Sequence, residues 1–264
     1  MNLETILTPA EFPALAQRDL RTTACVVFDV LRATSTFVTA LHHGAKAIIP
    51  VSEIAEAIAV KTLPLAPRPS DFILLGGERN GVRISTGGID FDLGNSPREY
   101  TPEMVRGKTI VSTTTNGTRA LRACVNAQTV LAASFLNLTA TADFLRHNDF
   151  QNILLVCAGT GENTALEDVL AAGALCEILA WSSHDDDRTA QRAVPTLADS
   201  AQIVLRTYRE AKSDLAAAIG SSQNARRLLA IPELRDDVAF CLQRDAFPLV
   251  AKMEADGEIR RVLI

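Results

Sequence analysis

Short apolar runs rich in β-branched residues alternate along the chain with longer alanine-rich runs, and this alternation limits the possible folds more than any other feature. The run TTACVVFDV at 22–30 has the continuous apolar character of a strand that is buried on both faces. The alanine-rich runs have the length and spacing of helices. The pattern predicts an α/β protein whose largely parallel β-sheet is flanked by helices on both faces.

The individual elements follow from the same pattern. Strands are predicted at 22–30, 47–51, 72–75, 108–112, 129–133 and 152–156. Helices are predicted at 35–43, 53–61, 118–126, 139–147 and 165–181. Three prolines make 63–70 a loop. The glycine-rich segment 78–100 has no clear period and predicts a long functional loop.

The pattern changes after Trp181, where the polar stretch SSHDDDRTAQ begins. Residues 196–242 are predicted to be mostly helical, with short links near Gly220 and Pro232. Two short strands are predicted at 249–253 and 259–264, joined by a turn at Asp256-Gly257. We therefore expect an α/β core at 1–182 and a mostly helical C-terminal subdomain with terminal strands at 183–264. One continuous domain would explain the same pattern.

Charge and composition exclude several classes of function. The net charge of -5 argues against a basic face, so no nucleic-acid partner is expected. No run approaches the roughly 18 apolar residues of a membrane span. The first residues lack the basic start and apolar core of a signal peptide. Five scattered cysteines without a CxxC pair indicate reduced thiols, and four histidines form no zinc pattern. A soluble, cytoplasmic protein is expected.

Polar residues cluster directly after the predicted strands, at the carboxyl edge that forms the ligand crevice of open α/β sheets. In the first cluster, Asp29 is suited to bind Mg²⁺ and Arg32 to bind a phosphate or sulfonate. Thr34 and Ser35 open a helix whose free N–H groups attract anions. The alternative is purely structural: Asp29 and Thr34 cap the helix, and Arg32 pairs with Asp29.

Two further clusters repeat this chemistry. Glu78 and Arg79 follow Gly76-Gly77 and combine a metal ligand with an anion ligand, although a surface ion pair on a turn explains them equally well. Asn95 and Ser96 are predicted to donate to an anion, whereas an Asx or Ser-Pro turn is the structural alternative.

The segment after the strand at 108–112 is the best phosphate cradle in the chain. It combines hydroxyls, an amide, a glycine and an arginine between a strand and a helix: Thr114, Thr115, Asn116, Gly117, Thr118 and Arg119. An Asn-Gly turn with a threonine cap is the structural alternative. Asn137 follows the next strand and serves either the ligand or a helix cap.

The last cluster follows the strand at 152–156. Glu167 and Asp168 begin a helix, where they either complete a metal site and supply a general base or only interact with the helix dipole. Cys157 is a candidate nucleophile or a buried small side chain. Arg32, Arg79 and Arg119 stand at similar positions after successive strands, which chance capping does not readily explain.

Several known enzyme classes are excluded by their motifs. The chain has no Walker A loop, no GxSxG elbow and only half of a Rossmann fingerprint, at Gly159-Thr160-Gly161. A cysteine phosphatase needs an arginine six residues after its cysteine, but Asn163 stands there after Cys157. An aspartyl-phosphate phosphatase needs a second aspartate two residues after the first, but Leu31 stands there after Asp29.

Several ordered motifs resemble those of the 2-phosphosulfolactate phosphatases. They run in family order from about Val26 to Gly173: DVLRATST at 29–36, GER at 77–79, LGNSP at 93–97, TTNGTR at 114–119, SFLN at 134–137, CAG at 157–159, and Glu167-Asp168 followed by Ala172-Gly173. The resemblance implies a Mg²⁺-dependent phosphatase that converts (2R)-2-phospho-3-sulfolactate to 3-sulfolactate and phosphate in coenzyme M biosynthesis. A trianionic substrate of this kind calls for several arginines and anion-binding helix starts.

The residues and the resemblance together give one hypothesis, a phosphoric monoester hydrolase. Catalysis is assigned to Asp29, Arg32, Glu78, Arg79, Cys157 and Asp168. Mg²⁺ is assigned to some of Asp29, Glu78, Glu167 and Asp168. Substrate and phosphate binding is assigned to Thr34, Ser35, Asn95, Ser96, Thr114, Thr115, Asn116, Gly117, Thr118, Arg119 and Asn137.

Two other functions stay open at this point. One is an enzyme of another class, such as a lyase, that acts on a sulfonated or carboxylated metabolite. The other is a non-catalytic binding protein for such a metabolite. The expected partner in each case is a small anionic molecule, and a homodimer is a reasonable expectation.

Overall fold

The computed structural model describes residues 1–62, 72–86, 88–180 and 195–262. The strands of these residues are Asn2–Ile6 (β1), Thr23–Phe28 (β2), Ala47–Pro50 (β3), Ile73–Arg79 (β4), Val82–Arg83 (β5), Ser85–Thr86 (β6), Ile89–Asp90 (β7), Thr109–Thr113 (β8), Thr129–Ala133 (β9), Asn152–Cys157 (β10), Thr196–Leu197 (β11), Val250–Met253 (β12) and Ile259–Val262 (β13). The helices are Phe12–Leu15 (α1), Ala33–His42 (α2), Ile54–Thr62 (α3), Pro102–Val105 (α4), Gly117–Ala123 (α5), Leu138–His147 (α6), Leu166–Ala180 (α7), Asp199–Ala211 (α8), Leu215–Gly220 (α9), Gln223–Leu229 (α10) and Arg235–Cys241 (α11).

The predicted α/β class is confirmed, and most predicted elements lie within a few residues of the observed ones. Strand β1 was not predicted. Strand β4 continues through Gly76 and Gly77, and the segment 78–100 contains the short strands β5, β6 and β7. The predicted loop at 63–70 and the polar stretch after Trp181 lie outside the described residues. Within the described ranges, no helix has the length and apolar character that a membrane crossing requires.

Eleven of these strands form one sheet, in the order β11-β1-β10-β2-β9-β12-β13-β3-β8-β4-β5. Strands β11, β1, β10, β2 and β9 are parallel to one another, and so are β3, β8 and β4. The hairpin of β12 and β13 lies between these two blocks and pairs antiparallel with both neighbours. The last strands of the described chain therefore lie in the middle of the sheet.

The position of the hairpin makes the two parallel blocks run in opposite directions, which differs from the single carboxyl edge that the sequence predicts. Neighbouring strands in a sheet rotate by about 20–25° on average. Over the five steps from β2 to β8 this rotation is large enough to let loops from both blocks approach each other. The contacts described below show that they do so.

Helices cover both faces of the sheet, as predicted. Side chains alternate along β2: Val26 and Phe28 join a core with helices α6 to α8, while Cys25 and Val27 join a second core with α2 and α5. This alternation follows from the two-residue period of a strand. The C-terminal helices α10 and α11 pack into the first core, so their residues also lie beside the sheet.

Strands β4 and β8 approach closely at the end that faces the candidate site. Gly77 has a φ of +150°, and a Cβ built on it would lie 2.1 Å from the Thr113 carbonyl oxygen. A glycine is therefore required here by both its backbone conformation and the space available. This contact brings Glu78 beside the loop that follows β8.

Replacing Gly173 by alanine is expected to lower the free energy of unfolding by about 2 kcal/mol. Gly173 lies in α7 where α8 crosses, and a Cβ there would be 2.2 Å from the Val204 carbonyl oxygen. Gly220 in α9 is the control, because nothing lies within 4 Å of its Cβ position. Gly220→Ala is expected to be neutral or stabilising by up to about 1 kcal/mol. Urea unfolding measures both, and equal stability of the two variants would contradict the packing argument.

Candidate active site

Loops that follow four strands contact one another directly, and their side chains form the candidate active site. The Asn116 amide after β8 donates to the carbonyls of Ala158 and Gly161 after β10, at 2.8 and 2.9 Å. The Arg32 guanidinium after β2 donates to the carbonyl of Gly81 after β4, at 2.8 Å. These contacts bring together most of the strand ends that the sequence marks as polar.

Asp29 lies at the centre of these loops. It directly follows β2, and its Oδ1 accepts the Ala33 N–H at 3.1 Å at the start of α2. A Cβ built on Gly117 would lie 2.6 Å from Asp29 Oδ2. A side chain at position 117 would therefore collide with this oxygen, and Oδ2 accepts no hydrogen bond from a described donor.

Glu78 joins the β4 turn to the loop after β8. One of its carboxylate oxygens accepts the Gly81 N–H at 2.6 Å, and the other accepts the N–H and hydroxyl of Thr115, both at 2.9 Å. The carboxylate is almost completely buried. Its orientation is therefore held from two sides.

Glu167 and Asp168 begin α7, and their carboxylates differ in how many hydrogen bonds they accept. Asp168 accepts the Val30 N–H at 2.8 Å and the Gly159 N–H at 3.0 Å, one on each oxygen, which ties the β2 loop to the β10 loop. Glu167 accepts one bond through Oε1, while its buried Oε2 has no donor. A buried carboxylate oxygen without a donor is costly unless a water or an ion satisfies it.

The electrostatics of the cluster are strongly unfavourable to negative charge. Burial raises the pKa of Asp29 to about 7 against the lowering effect of the Ala33 N–H and Arg32, and the charges of Glu78 and Glu167 raise it further. Burial also raises the pKa of Asp168 well above its ordinary value, and the charges of Asp29 and Glu167 add to this effect. A cation placed among these carboxylates would relieve the repulsion.

The donor set fits Mg²⁺ with few protein ligands. In the described part of the chain, no three His, Cys, Asp or Glu side chains converge closely enough to hold a metal by themselves. Mg²⁺ commonly keeps several waters and binds through one or two carboxylates plus substrate phosphate. Glu167, whose Oε2 has no partner, and Asp29, whose Oδ2 accepts no hydrogen bond from a described donor, are the carboxylates with a free oxygen for it.

The three predicted arginines have different surroundings. Arg32 is buried and forms an ion pair with Asp237 at 2.8 Å. Arg79 is half-buried and donates to the Glu78 and Ser52 carbonyls and to the Thr113 hydroxyl, with no ion pair to a described carboxylate. Arg119 is exposed and pairs with Glu162 at 2.5 Å. Arg79 is therefore the one of these three whose charge is not neutralised by a described residue.

Most of the predicted hydroxyl and amide groups hold the loops in shape. Thr34 exchanges hydrogen bonds with the Asp29 backbone, and Ser35 donates to the Val30 carbonyl. Thr114 and Thr118 bond to each other across the start of α5. These contacts fix the loops and the helix starts, although the side chains of the N-cap residues of α2 and α5, Arg32 and Asn116, cap neither helix.

Asn95 and Ser96 lie near Arg32, because the Ser96 hydroxyl and the Arg32 guanidinium share Asp237 as a partner. The Ser96 hydroxyl donates to Asp237 Oδ1 at 2.7 Å. The Asn95 side-chain oxygen is buried without a partner, the second such atom among the predicted site residues. Asn95 therefore still has capacity for a ligand, whereas the Ser96 hydroxyl donates its proton to Asp237.

Asn137 and Cys157 are placed in structural surroundings. The Asn137 side chain is fully buried and bonds to the Ser134 N–H and to the Ala132 and Leu249 carbonyls. Cys157 is buried at the end of β10, where burial raises the pKa of its thiol well above the ordinary value. A thiol held in its protonated form is a weak nucleophile. The five cysteines of the chain are all free and buried.

Two site residues were missed by the sequence reasoning, and both come from the C-terminal helices. Asp237 in α11 pairs with Arg32, and Asn224 in α10 donates to Glu167 Oε1 at 2.6 Å. Asp237 stands in the first turn of α11, where an acidic residue is an ordinary dipole partner. Since these residues are remote in sequence from their partners, no local motif marks them.

Comparison with known proteins identifies the family of the chain. The family model of 2-phosphosulpholactate phosphatase matches residues 8–256. A protein of Caldanaerobacter subterraneus subsp. tengcongensis is 37% identical over 249 residues, 94% of this chain and 95% of its own. One of Thermotoga petrophila is 41% identical over 226 residues, 85% of this chain and 86% of its own. Both are named probable 2-phosphosulfolactate phosphatase. The chain thus belongs to the 2-phosphosulfolactate phosphatase family, a family of phosphoric monoester hydrolases.

Proposed function

We propose that the chain hydrolyses (2R)-2-phospho-3-sulfolactate to 3-sulfolactate and phosphate with the help of Mg²⁺. The observation that carries this proposal is the buried carboxylate cluster, in which the pKa of Asp29 is raised to about 7 and Glu167 Oε2 has no donor. Such a cluster calls for a cation, and a phosphate monoester brings the oxygen ligands that Mg²⁺ shares with carboxylates. Family membership supports the choice of substrate.

Asp29 and Glu167 would hold the metal, with Asn95 available to the substrate. When bound, Mg²⁺ supplies charge neutralisation on the phosphoryl oxygens. Arg79 donates to a phosphoryl oxygen, because its charge is not neutralised by a described carboxylate. Glu78 holds the Thr115 N–H and hydroxyl in place beside the phosphate. Water attacks phosphorus in line and gives up a proton as the new P–O bond forms. The ester P–O bond breaks, and the departing alkoxide oxygen takes up a proton to become the hydroxyl of 3-sulfolactate.

Positioning and charge neutralisation account for most of the acceleration in phosphoryl transfer. A covalent route through Cys157 is disfavoured by its burial and its raised pKa. Direct attack by water is therefore the simpler proposal. A stopped reaction that yields no labelled phosphoenzyme is the expected result.

Phosphate release from purified protein tests the function. Racemic phosphosulfolactate and phospholactate are supplied in parallel, with Mg²⁺ and with EDTA. We expect release that requires Mg²⁺ and favours the sulfonated substrate. Release from phospholactate alone would reject the substrate but keep the phosphatase. No release by folded, Mg²⁺-supplied protein would instead favour a lyase or a binding protein.

A further inference from the structure

Arg227 in helix α10 lies beside the carboxylate cluster without belonging to the strand-end motifs. Its Nη2 donates to Asn224 Oδ1 at 3.2 Å, and the Asn224 amide in turn donates to Glu167. On the other side, a Cβ built on Gly81 would lie 3.8 Å from Arg227 Nε. Gly81 is bonded to both Glu78 and Arg32. The guanidinium is therefore between the Glu167 side and the Glu78 side of the cluster.

The charge of Arg227 is available to a ligand. Its side chain is exposed, and among the ion pairs of the described residues none involves it, in contrast to Arg32 and Arg119. A guanidinium has five N–H donors in a planar fork, and the contact with Asn224 uses one of them. The remaining donors match the paired oxygens of a carboxylate or a sulfonate.

We propose that Arg227 binds an anionic group of the substrate that is not transferred, its sulfonate or its carboxylate. The inference rests on the proposed function, because that substrate carries both groups in addition to phosphate. Mg²⁺ and Arg79 account for the phosphate, which leaves the other two anions to be recognised. The C-terminal helices then contribute to substrate specificity, through a residue about 110 positions away from the cradle at 114–119.

Binding of the product 3-sulfolactate, followed by calorimetry, tests this inference without requiring turnover. Arg227→Gln is expected to weaken 3-sulfolactate binding by roughly 10- to 100-fold, the usual effect of losing charged hydrogen bonds. Arg227→Lys is expected to recover part of the affinity. Arg226→Gln is the matched control, because Arg226 is exposed on the same helix and donates to the Ser221 carbonyl instead. Unchanged binding by Arg227→Gln, or no binding by the unaltered protein, overturns the inference.

Steady-state kinetics identify which anion is bound. If Arg227 binds the sulfonate, Arg227→Gln raises the KM for phosphosulfolactate and leaves phospholactate hydrolysis unchanged. If it binds the carboxylate, the KM rises for both substrates. An effect on kcat alone, with KM unchanged for both, overturns the inference. Should the protein release no phosphate while its 3-sulfolactate binding depends on Arg227, the proposed function fails and the binding role stands.

Discussion

Asp29→Asn is expected to lower kcat by about 10²- to 10⁴-fold, because it removes one of the two carboxylates proposed to hold Mg²⁺, and to leave the fold intact. The asparagine oxygen can still accept the Ala33 N–H, so the start of α2 keeps its hydrogen bond. What is lost is the negative charge beside the phosphoryl group and the carboxylate offered to Mg²⁺. Phosphate release measures kcat, and circular dichroism confirms the fold.

The same substitution is expected to change how stability depends on pH in the absence of metal. The pKa of Asp29 is raised from 3.8 to about 7 in the folded protein, so the folded state holds a proton that the unfolded chain releases. This contribution to stability is present at pH below 3.8 and is lost as pH rises through about 7. With EDTA, the unaltered protein should therefore melt at a lower temperature at pH 8 than at pH 6.

Asp29→Asn should flatten this decline and melt above the unaltered protein at pH 8 in EDTA. Mg²⁺ should raise the Tm of the unaltered protein at pH 8 and have much less effect on the variant. Asp19→Asn is the control, because Asp19 is an exposed carboxylate paired with Arg21 on the surface. Identical pH dependence and identical Mg²⁺ response in both variants would show that Asp29 is not the titrating carboxylate at the metal site.

Asp237→Ala is expected to lower the free energy of unfolding by about 3–5 kcal/mol, as for other buried ion pairs that lose one partner. Both side chains of the Arg32–Asp237 pair are at most 3% exposed, so the guanidinium would be left buried without a counter-charge. Ser96 would lose its acceptor as well. Urea unfolding measures the loss, and activity is expected to fall with it because Arg32 no longer has a fixed position.

Two further variants separate stability from function at this pair. Asp236→Ala is the matched control: Asp236 is the neighbouring, exposed residue, 3.5 Å from Arg98, and should contribute less than about 1 kcal/mol. The double variant Arg32→Met with Asp237→Leu should recover much of the stability, because well-packed apolar side chains often replace a buried pair without loss. It should not recover activity. Full activity of the double variant would refute the role assigned to Arg32.

The fold class could be predicted because each buried strand carries its own signal. The runs that became β2, β9 and β10 are apolar after their first residue, and their burial on both faces confirms that interpretation. Strand β1 was missed, since NLETI mixes polar and apolar residues within five positions. The opposite direction of the two blocks depends on which strands pair with β12 and β13. That choice is made by contacts between distant residues and leaves no local pattern.

The candidate site could be predicted in part for the same reason. Asp29 directly follows β2, Glu78 lies at the end of β4, and Glu167 lies at the start of the helix that follows β10. The structure brings their carboxylates close enough to raise the pKa of Asp29. The sequence alone does not distinguish residues whose side chains hold a loop in shape, such as Thr118, from residues with an unpartnered side-chain atom, such as Asn95. That difference depends on hydrogen-bond partners, which only the folded chain defines.

The central hairpin also has a consequence for how the protein is made. Synthesis proceeds from the N-terminus, so β9 and β3 are complete long before β12 and β13 leave the ribosome. Until then each parallel block has an edge with unpaired N–H and C=O groups, where strands of other chains can add. The exposed edges of β9 and β3 therefore need protection from strands of other nascent chains. Pairing of β12 with β9 and of β13 with β3 then joins the two parallel blocks into one sheet.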